Sequence, residues 1–145
     1  DRWESLCENP SLIPNAVEEM LRMDPSIFAW RRIATTDTEI GGCNISAGSK
    51  ILMMLGSGNH DDKEFPDGET FNIERKNAKR HLAFGVGAHF CMGAPLARME
   101  MRIIFEELTR RIPDMNLVVG QKWKYLPTLI FRGVQNLQVE WEARK

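Results

Sequence analysis

The sequence predicts an α+β fold that is mainly helical. Two segments, at 14–23 and 95–112, repeat apolar residues with the period of a helix, and short β-branched runs between glycine turns predict small sheets. The 145 residues are 43% hydrophobic and 27% charged, which is typical of one globular unit. We therefore expect residues 1–145 to form a single unit.

The first predicted elements are two helices separated by residues 9–11, where an Asn-Pro-Ser sequence interrupts the helical pattern. A short polar helix precedes this break. Pro14 can begin the second helix, which is predicted to span 14–23 and to end before Asp24-Pro25. Its apolar residues recur at helical spacing: Ala16, Val17, Met20 and Leu21.

Short strands are predicted where β-branched residues alternate with turn residues. They lie at 32–35, 38–40, 44–45, 49–55, 117–119, 128–131 and 137–141. The Gly41-Gly42 pair predicts a hairpin turn in which both residues adopt positive φ.

Residues 56–90 show no sustained period, and a loop of that length is usually functional or disordered. We interpret it as ordered around a ligand. A helix is predicted to follow at 95–112, ended by Pro113. One side of it carries apolar residues, namely Leu96, Met99, Ile103, Leu108 and Ile112. The other side carries mostly charged residues, namely Arg98, Arg102, Glu106, Arg110 and Arg111.

Composition excludes several classes of protein. Nineteen basic and twenty acidic residues give a net charge of -1, which argues against nucleic acid as a partner. The three cysteines, at 7, 43 and 91, form no CxxC pair, so a reducing, cytoplasmic location is expected rather than a disulfide framework. No apolar run approaches the roughly 20 residues that cross a bilayer, so no membrane segment is predicted. The chain begins without methionine, and we expect it to be part of something longer.

The segment most informative about chemistry is 84–93, which leads directly into the predicted long helix. Gly85, Gly87 and Gly93 remove side chains around Cys91, so the backbone can approach a large flat ligand and adopt positive φ. A helix N-terminus stabilises a thiolate, and a thiolate on haem iron favours O–O cleavage. A lone cysteine can equally be a small buried apolar residue.

This segment resembles the cysteine-ligand loop of the cytochrome P450 haem-thiolate monooxygenases, whose pattern F-G-x-G-x-H/R-x-C-x-G it fills at every fixed position. The resemblance implies that the cofactor is haem b and that Cys91 is the axial ligand of its iron. It also implies that Phe84 packs beside the sulfur and that His89 hydrogen-bonds a haem propionate. The alternative for His89 is a loop histidine with local partners.

A second match is the ExxR motif formed by Glu19 and Arg22, which a spacing of three places on one helical face. Taken alone, it could be a surface ion pair. In the family this motif pairs with an arginine ahead of the cysteine, and Arg75 stands at that place. The resemblance therefore implies a buried network of Glu19, Arg22 and Arg75 that braces the haem loop.

The order of the segments between these motifs is similar to that of the bacterial soluble members of the family. It implies that Arg32 contacts a propionate, with His81 as a weaker candidate; a strand-edge surface arginine is the alternative for Arg32. The positions that would line the substrate pocket, if they are not simply core, are Ile27, Phe28, Ala29, Leu129 and Ile130. A basic surface for an acidic ferredoxin, or merely a solvated helix face, would comprise Arg98, Arg102, Lys76 and Lys79.

The resemblance covers the C-terminal, cysteine-side portion of the family fold: the ExxR helix, a small sheet, the cysteine loop, the long helix and terminal hairpins. The oxygen-activating helix with its A/G-G-x-x-T/S signature is not in the sequence. Local departures are His60, Gly68 and the glycine-rich segment 56–58. We expect 1–145 to be a partial P450 domain that lacks its N-terminal portion, is inactive alone and exposes large apolar patches.

The implied function is insertion of one atom of O₂ into an apolar organic substrate, with electrons from a redox partner. One alternative is a non-enzymatic haem-thiolate binder, or an inactive fragment that lacks the oxygen-activating helix. Another is a small zinc or redox domain that uses Cys91, His89 and His81, although their spacing lacks paired ligand knuckles.

Overall fold

The computed structural model describes residues 2–142 and has an α+β fold in which helices predominate, as predicted. Helix α1 spans Arg2–Glu8, a single 3-10 turn spans Pro10–Leu12, and helix α2 spans Ile13–Met23. Prolines occupy the first turn of the last two elements, where their missing N–H costs nothing. Helix α2 ends as predicted, because Asp24 leaves the helical region at φ −139°.

Four short strands follow and form two antiparallel pairs. Strand β1 (Trp30–Ile33) pairs with β4 (Lys50–Met53), and β2 (Thr38–Ile40) pairs with β3 (Cys43–Ile45). The turn between β2 and β3 has φ 58° at Gly41 and 80° at Gly42, which confirms the predicted hairpin. The first strand lies two residues earlier than predicted. Buried Ala34 instead exchanges backbone hydrogen bonds with the 48–49 turn.

The long aperiodic segment contains the short helix α3 (Leu55–Gly58) and two 3-10 turns, Ala78–Arg80 and Gly87–His89. Its first half, residues 59–75, wraps around two guanidinium groups, whose N–H groups donate to backbone carbonyls of this segment. Only residues 82–93 form an open loop.

Helix α4 spans Ala94–Arg111, and the tail forms one strand pair, β5 (Asn116–Leu117) with β6 (Val139–Glu140). The strand predicted at 128–131 is wrong. The Thr128 hydroxyl accepts hydrogen bonds from the N–H groups of Ile130 and Phe131, which makes a turn. The segment is tied to residues 26–28 by an isolated bridge between Ile27 and Phe131 and by the hydrogen bond from the Phe28 N–H to the Ile130 carbonyl.

Helix α4 packs against α2 with a side other than its predicted apolar side. That side carries buried Ala94 and Thr109 at the ends, with Arg98, Met101 and Phe105 between them. The residues that they meet form the core, which comprises Leu6, Ile13, Ala16, Val17 and Ile73. Residues of the predicted apolar side are about half exposed: Leu96 53%, Met99 53% and Ile103 51%.

The surface area shows how much apolar surface is left uncovered. A folded monomer of this mass exposes about 7,600 Å², whereas this chain exposes 10534 Å². Many large apolar side chains are among the exposed residues, including Met92 at 98% and Val119 at 93%. Within residues 2–142, no helix combines the length and the apolar character needed to span a bilayer. Asp1 and residues 143–145 of the predicted unit lie outside the described residues.

Candidate functional site

The cysteine loop presents its sulfur outward from a closed backbone turn. Cys91 follows the 3-10 turn Gly87–His89 and precedes Gly93, the N-cap of α4, by two residues. Its N–H donates to the Phe84 carbonyl at 2.9 Å, and its carbonyl accepts from the Ala94 N–H at 3.2 Å. Cys91 is an exposed, free thiol. The loop is thus closed at its base and open at the sulfur.

The glycines of this loop keep space clear above it. Gly85 and Gly87 have φ of 70° and 72°, a region that other residues rarely adopt. A Cβ added to Gly87 would meet no atom within 4 Å, so the space above it is open. Gly93 differs from the expectation, because its φ is −81°. A Cβ there would lie 3.7 Å from the Cys91 sulfur, so this glycine leaves the sulfur accessible.

Apolar residues within five positions of Cys91 on either side are exposed to solvent. Met92 is 98% exposed and Val86 70%, while Phe90 and Leu96 are about half exposed. A porphyrin is a large flat apolar ligand with an acidic edge. This surface matches it in three ways: the sulfur is accessible, Gly85 and Gly87 place no side chain in the way, and the exposed residues Val86, Phe90, Met92 and Leu96 form an apolar rim. The residues present therefore fit a haem. His89 lies exposed on the turn Gly87–His89 and offers a polar side chain to the acidic edge of the porphyrin.

The Phe84 ring is held on three sides at the base of the loop. The centroids of the His81 and Phe90 rings lie 5.7 Å and 6.5 Å from it. The Arg98 guanidinium carbon lies 4.7 Å from the ring centroid, in the geometry of a cation–π contact. This contact comes from α4, so the helix after the cysteine supports the residue that accepts the cysteine's N–H.

Glu19, Arg22 and Arg75 lie together in a buried network below the loop. Glu19 accepts from Arg22 Nε at 2.7 Å and Nη2 at 2.9 Å, and from Arg75 Nε at 3.1 Å. The Asn72 N–H adds a fourth bond at 2.9 Å. Burial alone would raise the pKa of Glu19, but the hydrogen bonds from Arg22, Asn72 and Arg75 hold it below its usual value. The carboxylate therefore stays charged between two guanidinium groups.

The other guanidinium N–H groups of this network bind backbone carbonyls of residues 59–70. The accepting carbonyls belong to Asn59, Pro66, Asp67, Gly68 and Thr70. Gly68 is required here, since a Cβ would lie 2.7 Å from the His60 carbonyl oxygen.

A second buried network, which the sequence analysis missed, involves the preceding glutamate. Glu18 is 1% exposed, and its carboxylate lies 2.8 Å from Arg98 Nε and 3.2 Å from His81 Nε2. Burial raises the pKa of Glu18, but the hydrogen bonds and charges of His81 and Arg98 outweigh it and lower the pKa to about 2. The only sequence signal was an acidic residue between apolar positions of an amphipathic helix.

This network changes the roles expected of its two basic members. His81 Nδ1 accepts from the Ala83 N–H at 3.1 Å, which places the ring proton on Nε2 toward Glu18. Both ring nitrogens thus have protein partners, and none is left for a propionate. The placement of Arg98 on the exposed, charged side of α4 is wrong, because its guanidinium points inward and is neutralised by Glu18.

The remaining predicted basic residues lie at or near the surface. Arg32 is partly exposed on β1, opposite Ile51, and its Nη1 donates to the Arg31 carbonyl at 2.8 Å. Lys76 and Lys79 are exposed ahead of the cysteine loop. Within the described part of the chain, the Nε of partly buried Arg102 has no hydrogen-bond acceptor.

The two segments expected to line a substrate pocket lie side by side. The Phe28 N–H donates to the Ile130 carbonyl at 2.7 Å, and Leu129 beside it is 78% exposed. Ile27 is bridged to Phe131. Ala29 differs from the others, since it is fully buried and lies behind the exposed surface.

Comparison with known proteins gives a consistent result. The family model described as Cytochrome P450 matches residues 6–112. A steroid C26-monooxygenase of Mycobacterium tuberculosis (strain CDC 1551 / Oshkosh) is 43% identical over 140 residues, which cover 96% of this chain and 37% of that protein. Cytochrome P450-SU2 of Streptomyces griseolus is 41% identical over 143 residues, covering 97% and 35%.

Solved structures agree with these relatives. An intact type IV self-sufficient cytochrome P450 monooxygenase is 52% identical with a TM-score of 0.95, covering 97% of this chain and 18% of that one. The haem domain of Acinetobacter radioresistens CYP116B5 is 47% identical with a TM-score of 0.94, covering 97% and 34%. This chain spans about a third of the length of the curated relatives. It belongs to the cytochrome P450 family, whose cofactor is a thiolate-ligated haem b.

Proposed function

On the basis of that membership, we propose that this chain is the cysteine-side haem-binding part of a P450 monooxygenase and that Cys91 is the axial ligand of the iron. The observation that carries the proposal is Cys91: exposed, flanked by glycines and followed and preceded by exposed apolar residues. A buried network around Glu18 holds both ends of the loop. Residues 1–145 act as one partial domain.

When bound, the haem supplies oxygen activation, and the reaction inserts one oxygen atom of O₂ into an organic substrate. The chain's own residues hold and orient the group. Cys91 provides a thiolate at the start of α4, where the helix dipole stabilises negative charge. Gly85, Gly87 and Gly93 keep the porphyrin approach clear, and the apolar rim excludes water.

His89 and Arg32 are the proposed partners of the haem propionates. His89 lies exposed on the turn before Cys91. Arg32 donates from Nη1 to the Arg31 carbonyl, so its other guanidinium nitrogens are available to a propionate. We assign His81 to the support of the loop instead, because its ring is already satisfied.

The proposed substrate is apolar, and Ile27, Phe28, Leu129 and Ile130 form part of its pocket wall. Support comes from the backbone bond that joins their two segments and from the exposure of Leu129. Ala29 packs behind this wall.

The proposed electron donor is a ferredoxin-type protein that docks at the surface of Lys76 and Lys79. These lysines precede the cysteine loop and are free to meet an acidic partner. Arg98 is not part of this surface, because Glu18 neutralises it.

The large uncovered apolar area supports a further part of the proposal. We attribute it to faces that the N-terminal portion of the same fold covers, so that residues 1–145 alone are inactive. We also propose a cytoplasmic location, which the free cysteines support because disulfides form in oxidising compartments.

The test is the difference spectrum of the reduced, carbon monoxide-bound holoprotein, meaning this segment within its complete fold. A red-shifted Soret band is expected from thiolate ligation. Metal analysis that finds zinc and no iron would overturn the proposal. Turnover of an apolar substrate with a reconstituted electron donor separates a monooxygenase from a haem binder without activity.

A further inference from the structure

Glu18 joins two segments that lie on opposite sides of the cysteine loop. His81 precedes Cys91 by ten residues and Arg98 follows it by seven, and both side chains donate to the same carboxylate. Glu18 belongs to α2, which is anchored in the core. One buried carboxylate therefore closes the base of the loop and fixes it to the core.

The same network reaches the cysteine through one aromatic ring. The Arg98 guanidinium, held by Glu18, lies 4.7 Å from the centroid of the Phe84 ring. The His81 ring lies 5.7 Å from it on another side. The Phe84 carbonyl accepts the Cys91 N–H at 2.9 Å. The position of the cysteine backbone is thus tied to a ring that two members of the network contact.

This network is separate from that of Glu19. The two glutamates are adjacent on α2, yet within residues 2–142 they share no hydrogen-bond partner. Glu19 fixes residues 59–75, whereas Glu18 fixes the two ends of the loop that carries Cys91. The two networks therefore act on different segments and can be perturbed independently.

We propose that Glu18, His81 and Arg98 form a positioning clamp that holds the Cys91 sulfur in place for the haem iron. This inference rests on the proposed function of Cys91. Without the clamp, the base of the loop opens, the Phe84 ring loses its cationic contact, and the sulfur samples positions from which the thiolate is lost. The three residues act on Cys91 through the Phe84 ring and the backbone.

The test uses the haem-loaded holoprotein and the variant Arg98→Lys. Lysine keeps the positive charge but has no planar guanidinium to bind the carboxylate and stack on Phe84 together. We expect the reduced, carbon monoxide-bound variant to lose a measurable part of the red-shifted Soret band. We also expect a haem dissociation constant raised by about 10-fold, as for other residues that orient a metal ligand without binding the metal.

Glu18→Gln provides a second variant, since glutamine keeps the shape and one acceptor oxygen but loses the charge. It is expected to show the same spectral change as Arg98→Lys. The matched control is Glu107→Gln. It removes exposed ion pairs on α4, the helix that carries Arg98, and is expected to keep the full red-shifted band. Should Glu18→Gln fail to accumulate, Arg98→Lys and Phe84→Leu decide the question.

A clamp that only stabilises the fold gives a different result. In that case Arg98→Lys lowers the unfolding temperature but keeps the wild-type spectrum and haem affinity, and the inference is overturned. The proposed function fails separately, because the wild-type protein itself would then show no red-shifted band.

Discussion

The charged network around Glu19 is enclosed by the described residues, whereas the loop around Cys91 is exposed. The network is buried, since Glu19, Arg22 and Arg75 are at most 8% exposed. Both arginines form ion pairs with Glu19. Cys91 is exposed, and its neighbour Met92 is 98% exposed. The network is complete within this segment, whereas the loop presents a surface that only a large apolar ligand and further polypeptide would cover.

This difference separates stability from ligand binding. Changes in the network around Glu19 should act on folding, and changes at the cysteine loop should act on the haem with little effect on folding. Glu19→Ala tests the side of folding, and Cys91→His tests the side of ligand binding.

The largest expected effect is that of Glu19→Ala. It leaves two buried guanidinium groups without their shared carboxylate, which costs about 3–5 kcal/mol in the free energy of unfolding. Denaturant unfolding of the holoprotein measures it. Glu107→Ala is the control, because Glu107 pairs with Arg110 and Arg111 at the surface, and no loss is expected. Equal stability of the two variants would contradict the assignment of the network around Glu19 as the main support.

The second prediction concerns pH. The pKa of Glu18 is about 2 in the folded chain against an ordinary value of 4.5. A lowered folded pKa contributes stability above pH 4.5 that is lost as the pH falls toward 2, up to about 3 kcal/mol in all. Unfolding of the wild type and of Glu18→Gln should therefore differ most near neutral pH and converge in acid. A gap that stays constant with pH would show that the Glu18 charge is not involved.

A smaller effect is expected at Gly56, which the Phe28 ring contacts. A Cβ at this position would lie 2.2 Å from Phe28 Cδ2, while Arg132 lies over the other part of the ring. Gly56→Ala should cost about 1–3 kcal/mol through overpacking and change the KM for substrate, because the ring must move. In Gly133→Ala the new methyl group meets its nearest neighbour at 3.8 Å, so little change is expected. Adding Phe28→Leu should relieve the strain.

The smallest expected effect is that of Lys76→Glu with Lys79→Glu. Reversing two exposed charges should slow association with an acidic electron donor and weaken its dependence on ionic strength, without altering the Soret band. Lys50→Glu on β4 is the control, since it lies outside the segment ahead of the cysteine. Unchanged association kinetics would move the docking surface elsewhere.

The features that could be predicted from the sequence are those encoded by local spacing. The glycine pair at 41–42, the end of α2 and the i, i+3 pair of Glu19 and Arg22 depend on neighbouring residues. The loop around Cys91 has the same property, because its turn is closed by residues only seven apart. Pattern and geometry therefore agree there.

The features that were missed depend on distant partners. Glu18 meets His81 and Arg98 across 63 and 80 residues, a pairing that spacing does not reveal. The stripe of Leu96, Met99 and Ile103 was predicted as the apolar side of the helix, and these residues are about half exposed within the described part of the chain. Hydrophobic periodicity identifies the apolar face of a helix, but it does not identify the surface that packs against that face. The turn at Thr128 was missed because its hydroxyl competes with strand pairing.

The most direct measurement on the central claim is the reduced carbon monoxide spectrum of the Cys91→His holoprotein beside that of the wild type. Imidazole can bind the iron in place of the thiolate, so haem is retained and only the axial ligand changes. The account predicts that the red-shifted Soret band of the wild type is lost in the variant while its unfolding midpoint stays close to that of the wild type. A variant that keeps the red-shifted band would show that another sulfur holds the iron.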